Sequence, residues 1–196
     1  MHQTSDSDIR HALHKRILLA HHNNPKTFVI DELGLSHGKT RIDVAVLNGC
    51  LHGYEIKSSR DNLNRLPSQL DIYSKSLQKL TIVTAPNHIE NMLSIAPQWS
   101  GIILVEKGPR GGIYFTKMRA PKKNPDVCTT SLAHLLWKDE AISYLQHLGI
   151  TENLTNKPRK ILYEYISKHS DINNLISWIK IQFMNRENWR VDTQPL

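Results

Sequence analysis

The chain has 196 residues, 39% of them hydrophobic, which suits one domain or a compact core with a small appendage. Its 25 Lys and Arg against 18 Asp and Glu give a formal charge of +7 and a pI near 9.4, a balance that favours an anionic partner such as nucleic acid. No stretch reaches the roughly 18 apolar residues of a membrane span, Ile17-Leu18-Leu19-Ala20 lacks the pattern of a signal peptide, and Cys50 and Cys128 stand outside any C-x-x-C spacing, so a cytoplasmic protein with free thiols is expected.

Ile9, Leu13, Ile17 and Ala20 recur at helical spacing from Asp8 to about His22, behind Ser7 as a possible cap, and Asn23-Asn24-Pro25 ends the pattern. Thr27 to Leu35 is rich in β-forming residues, and Ser36-His37-Gly38 favours a turn. Arg41 to Leu47 alternates with period two, Asn48-Gly49 signals a hairpin, and Leu51 to Lys57 reads as the returning strand. Leu66, Leu70, Tyr73 and Leu77 form a helical stripe with Pro67 in its first turn. Two further strands, Lys79 to Thr84 and Gly101 to Val105, flank a short helical stretch from His88 to Leu93, and another strand follows the Gly108 to Gly112 turn through Ile113-Tyr114-Phe115. Antiparallel strands followed by strand–helix–strand indicate an α/β layer.

The Pro- and Lys-rich segment Ala120 to Pro125 reads as a linker between a core (1–120) and a helical C-terminal subdomain (121–196), with helices expected over Leu132 to Leu148, Pro158 to Ser170 and Asp171 to Trp189. There Lys157, Arg159, Lys160, Lys168, Lys180, Arg186 and Arg190 alternate with Tyr163, Tyr165, Trp178 and Trp189. This composition suits tracking along nucleic acid, an ordinary bundle with buried aromatics, or docking of a partner protein. The eleven histidines show no ligand spacing and are assigned to surface and caps.

Phosphodiester hydrolysis needs a cation that neutralises the phosphate and activates water, and Mg²⁺ prefers hard carboxylate and carbonyl oxygens. Asp43 and Glu55 are candidates because they lie on the two strands of one hairpin, with Lys57 two positions beyond Glu55 on the same face. A two-residue Asn48-Gly49 turn would separate the acids onto opposite faces. A three-residue loop Leu47-Asn48-Gly49, with Gly49 left-handed, instead sets Asp43 opposite Gly53 and diagonal to Glu55. That register gathers Ile42, Val44, Val46, Tyr54 and Ile56 on a core-facing side and leaves Ala45 and Gly53 as small residues beneath an approaching phosphate.

Asp43 followed by Glu55-Ile56-Lys57 resembles the motif of the PD-(D/E)XK nuclease superfamily. The resemblance covers roughly Val29 to Val105 and implies a restriction-endonuclease-like mixed central sheet flanked by helices. It also implies ligation of Mg²⁺ or Mn²⁺ by Asp43, Glu55 and the Ile56 main-chain carbonyl, with an upstream acid for which Glu32 is the best match and Asp31 the rival. Gln69 and Tyr73, four apart on one helix face, resemble the Gln-x-x-x-Tyr element of the RecB-like branch, where the pair abuts the active site. Ser58 and Arg65 are candidates for phosphate contact. The expected activity is a metal-dependent nuclease, with DNA favoured over RNA. The alternatives are a catalytically silent module that binds nucleic acid or protein, and a nuclease that needs a partner subunit.

Overall fold

The computed structural model describes residues 3–151 and 153–186. Among them, six strands form one mixed sheet in sequence order: β1 (Phe28–Leu35), β2 (Thr40–Leu47), β3 (Leu51–Lys57), β4 (Lys79–Thr84), β5 (Gly101–Lys107) and β6 (Ile113–Arg119). β1, β2 and β3 run antiparallel, β3, β4 and β5 run parallel, and β6 returns antiparallel. A parallel step cannot be closed by a tight turn. Here α3 (Leu66–Ser76) links β3 to β4, and a 3₁₀ turn with α4 (Ile89–Ile95) links β4 to β5. The expected mixed α/β sheet flanked by helices is therefore present.

The N-terminal segment covers one face. It comprises α1 (Asp6–Ala12), a π-helical turn (Leu13–Ile17) and α2 (Leu19–His22). Its cap is Ser5 rather than Ser7, with Ser5 Oγ accepting the Asp8 N–H at 3.2 Å. Ile9, Leu13 and Leu18 bury against Val44, Val46, Tyr54, Ile56, Val83 and Val105. The π turn, closed by Leu18 N–H to Leu13 O at 2.9 Å, accompanies a second departure from the sequence reading. His14 is buried, with Nε2 2.9 Å from Asp31 and Nδ1 2.8 Å from His22, rather than on the surface.

The opposite face packs Leu66, Leu70, Tyr73 and Leu77 of α3, and this core continues without a break into Leu132, Leu145, Leu162, Tyr163, Ile179 and Phe183. Those residues belong to the C-terminal segment and its helices α5 (Thr129–Ala133), α6 (Lys138–His147), α7 (Arg159–His169) and α8 (Ile172–Asn185). The Ala120 to Pro125 segment is tied down by buried Asn124, whose Nδ2 donates to the Ser74 and Leu77 carbonyls at 2.6 Å each. These oxygens, near the end of α3, lack helical partners.

The helix expected over Leu132 to Leu148 is broken. Trp137 is extended (φ −68°, ψ 164°), and its N–H goes to the Glu140 carboxylate at 2.7 Å, starting α6 afresh. Arg186 holds Glu140 at 2.6 and 2.7 Å. The aromatics here serve packing: Tyr163 is fully buried, Trp178 packs against the core, and Tyr165 lies under the Lys157 ammonium at 5.2 Å. Trp189, Arg190 and the end of the helix expected to reach Trp189 lie outside the described residues. No helix among the described residues is long and apolar enough to cross a membrane.

Gly53 marks the tightest point of the core. A Cβ there would stand 2.6 Å from Leu77 Cδ1 and 2.9 Å from Ile42 Cγ1, and both neighbours are fully buried. Gly53→Ala is therefore expected to destabilise the fold by about 1–3 kcal/mol, the usual cost of overpacking. Thermal melting should register it as a lowered midpoint.

Candidate active site

The β1–β2 ribbon bends where its two acids meet. β1 and β2 pair from Phe28↔Leu47 to Asp31↔Val44 and again from Leu33↔Ile42, leaving Glu32 and Asp43 between the two runs. Glu32 has φ 54°, a left-handed conformation that a residue with a Cβ adopts at a cost. The bend breaks the period-two alternation, so Ile30 and Leu33, three apart, bury into the same cluster, as do Ile42 and Ala45. Ile42 is thus on the α3 side of the sheet and not beside Val44 and Val46. The bend also separates Asp31, bound to His14, from Glu32, which lines the cavity described below, so geometry favours Glu32 over its rival.

The β2–β3 hairpin has a three-residue loop, but the loop is Asn48-Gly49-Cys50, closed by Leu47↔Leu51, with Gly49 at φ 103°. The register is shifted by two residues from the expected one, which preserves the faces because strand side chains alternate with period two. Ala45, not Asp43, stands opposite Gly53. Both small residues serve the buried core rather than the approach of a phosphate. Asp43 immediately precedes Val44, the first β2 residue paired with β3, and its Oδ2 accepts the Ile56 N–H at 2.6 Å, taking the place of a ladder carbonyl.

Asp43 and Glu55 consequently share the wall of one open polar cavity of about 700 Å³, together with Glu32, Ile56, Lys57 and Gln69. The Ile56 side chain is buried on the opposite face, so this residue reaches the cavity through its main chain. Glu55 is only 2% exposed. Lys57 Nζ is 2.7 Å from its Oε1, and the Tyr73 hydroxyl is 2.6 Å from its Oε2. The same hydroxyl is 2.8 Å from the Arg41 carbonyl. Gln69 joins the pair, accepting from Lys57 Nζ at 3.4 Å and donating to the Tyr73 oxygen at 3.3 Å. The helical spacing of Gln69 and Tyr73 thus delivers both side chains to the Glu55-Ile56-Lys57 segment.

Other residues at the cavity are absent from the sequence reading. Asp6 and Arg10, four apart on α1, reach it from the N-terminal layer: Arg10 Nη2 is 2.6 Å from Glu32 and 3.2 Å from both Asp43 and Asp6. Lys39 and Arg41 line it from the β1–β2 turn and the start of β2. Arg65, which the sequence offered for phosphate contact, lines it from the N-terminal end of α3. Ser58 is placed otherwise. It is buried, and its N–H and hydroxyl both donate to Asp61 Oδ2, at 2.6 and 2.7 Å.

Burial is the largest influence on both central carboxyl groups. The pKa of Asp43 is pushed up to about 8, by desolvation first and the Glu55 charge second, against the Ile56 N–H and the Arg10 guanidinium. Glu55 is also raised, by desolvation, against Lys57 and Tyr73. Tyr73 is raised by burial and by its acidic neighbour. Two buried carboxylates in mutual repulsion are the chemistry that a hard cation relieves. Among the described residues no three His, Cys, Asp or Glu side chains are grouped to hold a metal. Asp43, Glu55 and the Ile56 main chain, which share the cavity wall with Glu32, could hold a cation such as Mg²⁺, which keeps several waters and shares its shell with substrate phosphates.

The raised Asp43 pKa has a stability consequence. The native state retains a proton that the unfolded chain releases near pH 3.8, so this contribution is complete below that value and is lost as pH rises through about 8. Without divalent metal, the melting temperature of wild type relative to Asp43→Asn should fall between pH 5 and pH 8.5, by on the order of 5 °C. Taking the difference cancels the histidines, including His52, which burial lowers to about 3.

Comparison with known proteins places this chain in a family. The family model described as "Bacteriophage P4 protein cII" matches residues 2–193. The chain is 25% identical over 158 residues to "Protein cII" of Enterobacteria phage P4, an alignment covering 81% of this chain and 59% of that protein. The chain thus spans about three-fifths of the length of that relative. No solved structure matches. With the family model spanning nearly its whole length, the chain belongs to the bacteriophage P4 protein cII family.

Proposed function

We propose that this protein is a divalent-metal-dependent nuclease of the PD-(D/E)XK type that hydrolyses phosphodiester bonds. The observation that carries this reading is the convergence of Asp43, Glu55 and Lys57 on one open polar cavity, with both carboxyl groups raised by burial. Strongly perturbed groups clustered in a cleft are a recurrent mark of functional sites. Further support comes from the strained Glu32 backbone beside Asp43 and the Gln69–Tyr73 pair against Glu55 and Lys57. An antiparallel hairpin leading through a helix into parallel strands is also the arrangement that a restriction-endonuclease-like core requires.

When bound, Mg²⁺ or Mn²⁺ supplies Lewis-acid polarisation of the phosphate and lowers the pKa of a coordinated water. Asp43, Glu55 and the Ile56 carbonyl would hold it. Lys57 keeps its ammonium at the cavity wall, where it can orient water or meet charge developing on a phosphate oxygen. Tyr73 and Gln69 fix the geometry of Glu55 and Lys57. Lys39, Arg41 and Arg65 supply cations at the cavity for the nucleic-acid backbone. DNA is the substrate because the resemblance implies it.

One observation favours a second reading. Arg10 already pairs with Asp6, Glu32 and Asp43 without a metal, as a silent nucleic-acid- or protein-binding module would need. An assay with Mg²⁺, Mn²⁺ or EDTA on linear, circular and single-stranded DNA and on RNA separates the two. Metal-dependent cleavage by wild type, lost in Asp43→Ala and Lys57→Ala, supports the nuclease. Binding without cleavage under every condition supports the module.

A further inference from the structure

Arg10 is the least expected member of the site. It sits on α1, in a different layer from the strands that carry Asp43 and Glu55, and its side chain is only 19% exposed. Nη2 alone approaches three carboxylates, Glu32 at 2.6 Å and Asp43 and Asp6 at 3.2 Å, while Nη1 donates to the Asp43 main-chain carbonyl at 2.8 Å and Nε to Asp6 at 3.2 Å. Arg10 Nη2 thus places a positive charge among three acidic oxygens, surroundings that attract a hard cation. The planar guanidinium, with several donors in fixed directions, satisfies them together.

We propose that Arg10 is a resident cation of the site: it stands in for a second divalent ion and limits the cavity to one, held by Asp43 and Glu55. The inference rests on the metal-dependent reading above. Arg10 is thus a positioning residue, acting through Glu32 and Asp43. It holds the carboxylate of the left-handed Glu32 and keeps one Asp43 oxygen engaged while the other is committed to Ile56. The N-terminal helix becomes part of the active site in charge as well as in packing.

The test is Mn²⁺ stoichiometry, measured by calorimetry and by electron paramagnetic resonance of the free ion, on the full chain as wild type, Arg10→Gln and Arg10→Lys. Each protein is titrated below its own melting temperature. Wild type is expected to take up one ion, Arg10→Gln two, and Arg10→Lys, which keeps the charge, one. Two ions on wild type overturn the proposal, and so does one ion on Arg10→Gln at unchanged affinity. Both results leave the nuclease reading intact. No ion on wild type but uptake by Arg10→Gln supports Arg10 as the resident cation and removes the nuclease reading. No uptake by any of the three removes both. Should Arg10→Gln not fold, the wild-type stoichiometry and the Arg10 Nε–H resonance under Mg²⁺ decide: one ion with the resonance retained supports the proposal, whereas its loss shows the guanidinium displaced and overturns it.

Discussion

Asp43→Asn is expected to remove metal-dependent cleavage, lowering its rate about 10³-fold or more, equivalent to roughly 4 kcal/mol of barrier. The replacement is nearly isosteric, and its amide oxygen can still accept the Ile56 N–H that Asp43 accepts at 2.6 Å. The sheet should therefore close as before. What is lost is the charge, and with it the metal site proposed for Asp43 and Glu55. A fold defect and a charge defect differ in their pH behaviour. Because burial pushes the Asp43 pKa up to about 8, the neutral variant should gain stability relative to wild type as pH rises while remaining inactive. Parallel melting curves and cleavage rates check both halves. An Asp43→Asn protein that cleaves at the wild-type rate would remove this residue from the mechanism.

Lys57→Ala carries the second large effect, a fall of ~10²–10³-fold in kcat, the usual result of deleting one group that stabilises developing charge. The ammonium contacts Glu55 at 2.7 Å and Gln69 at 3.4 Å, so its removal leaves Glu55 buried with Tyr73 as its remaining close partner. Metal affinity should be retained or increased, since a competing cation has left the carboxylate. Loss of turnover with retained Mn²⁺ binding distinguishes Lys57 from a ligand-orienting residue, whose substitution would weaken both. Single-turnover rates at saturating metal are the measurement. Unchanged rates in Lys57→Ala would return the lysine to a structural ion pair.

Much of this arrangement was legible in the residues because local chemistry determined it. The alternation through Val44, Val46, Tyr54 and Ile56 gave the sheet faces, Asn48-Gly49 gave the hairpin, and the stripe of Leu66, Leu70, Tyr73 and Leu77 gave the helix that carries Gln69 to Lys57. The register missed by two because a loop closed at Leu47↔Leu51 and one closed at Val46↔Cys50 keep the same face parity. The bend at Glu32 and Asp43 was hidden for another reason: a left-handed glutamate has no local sequence signal and is held by tertiary contacts such as that from Arg10. Asp6 and Arg10 look like any solvated i, i+4 pair on a helix. Only the packing of α1 against the sheet turns that pair toward the acids.

The C-terminal helices illustrate the same limit on a larger scale. Basic residues among aromatics suit a nucleic-acid track or a bundle equally well, and burial of Tyr163, Leu162 and Phe183 in the sheet's own core is a long-range fact. The break at Trp137 depends on Glu140, which is held in turn by Arg186, 46 positions away.

The central claim is that Asp43 and Glu55 grip one divalent ion, and crystals grown without metal and then soaked in MnCl₂ test it most directly. The account predicts an anomalous-scattering peak about 2.1 Å from an oxygen of each carboxylate, absent from crystals of Asp43→Asn. Crystals of active wild-type protein with no peak between the two carboxylates, together with cleavage that persists in EDTA, would contradict it.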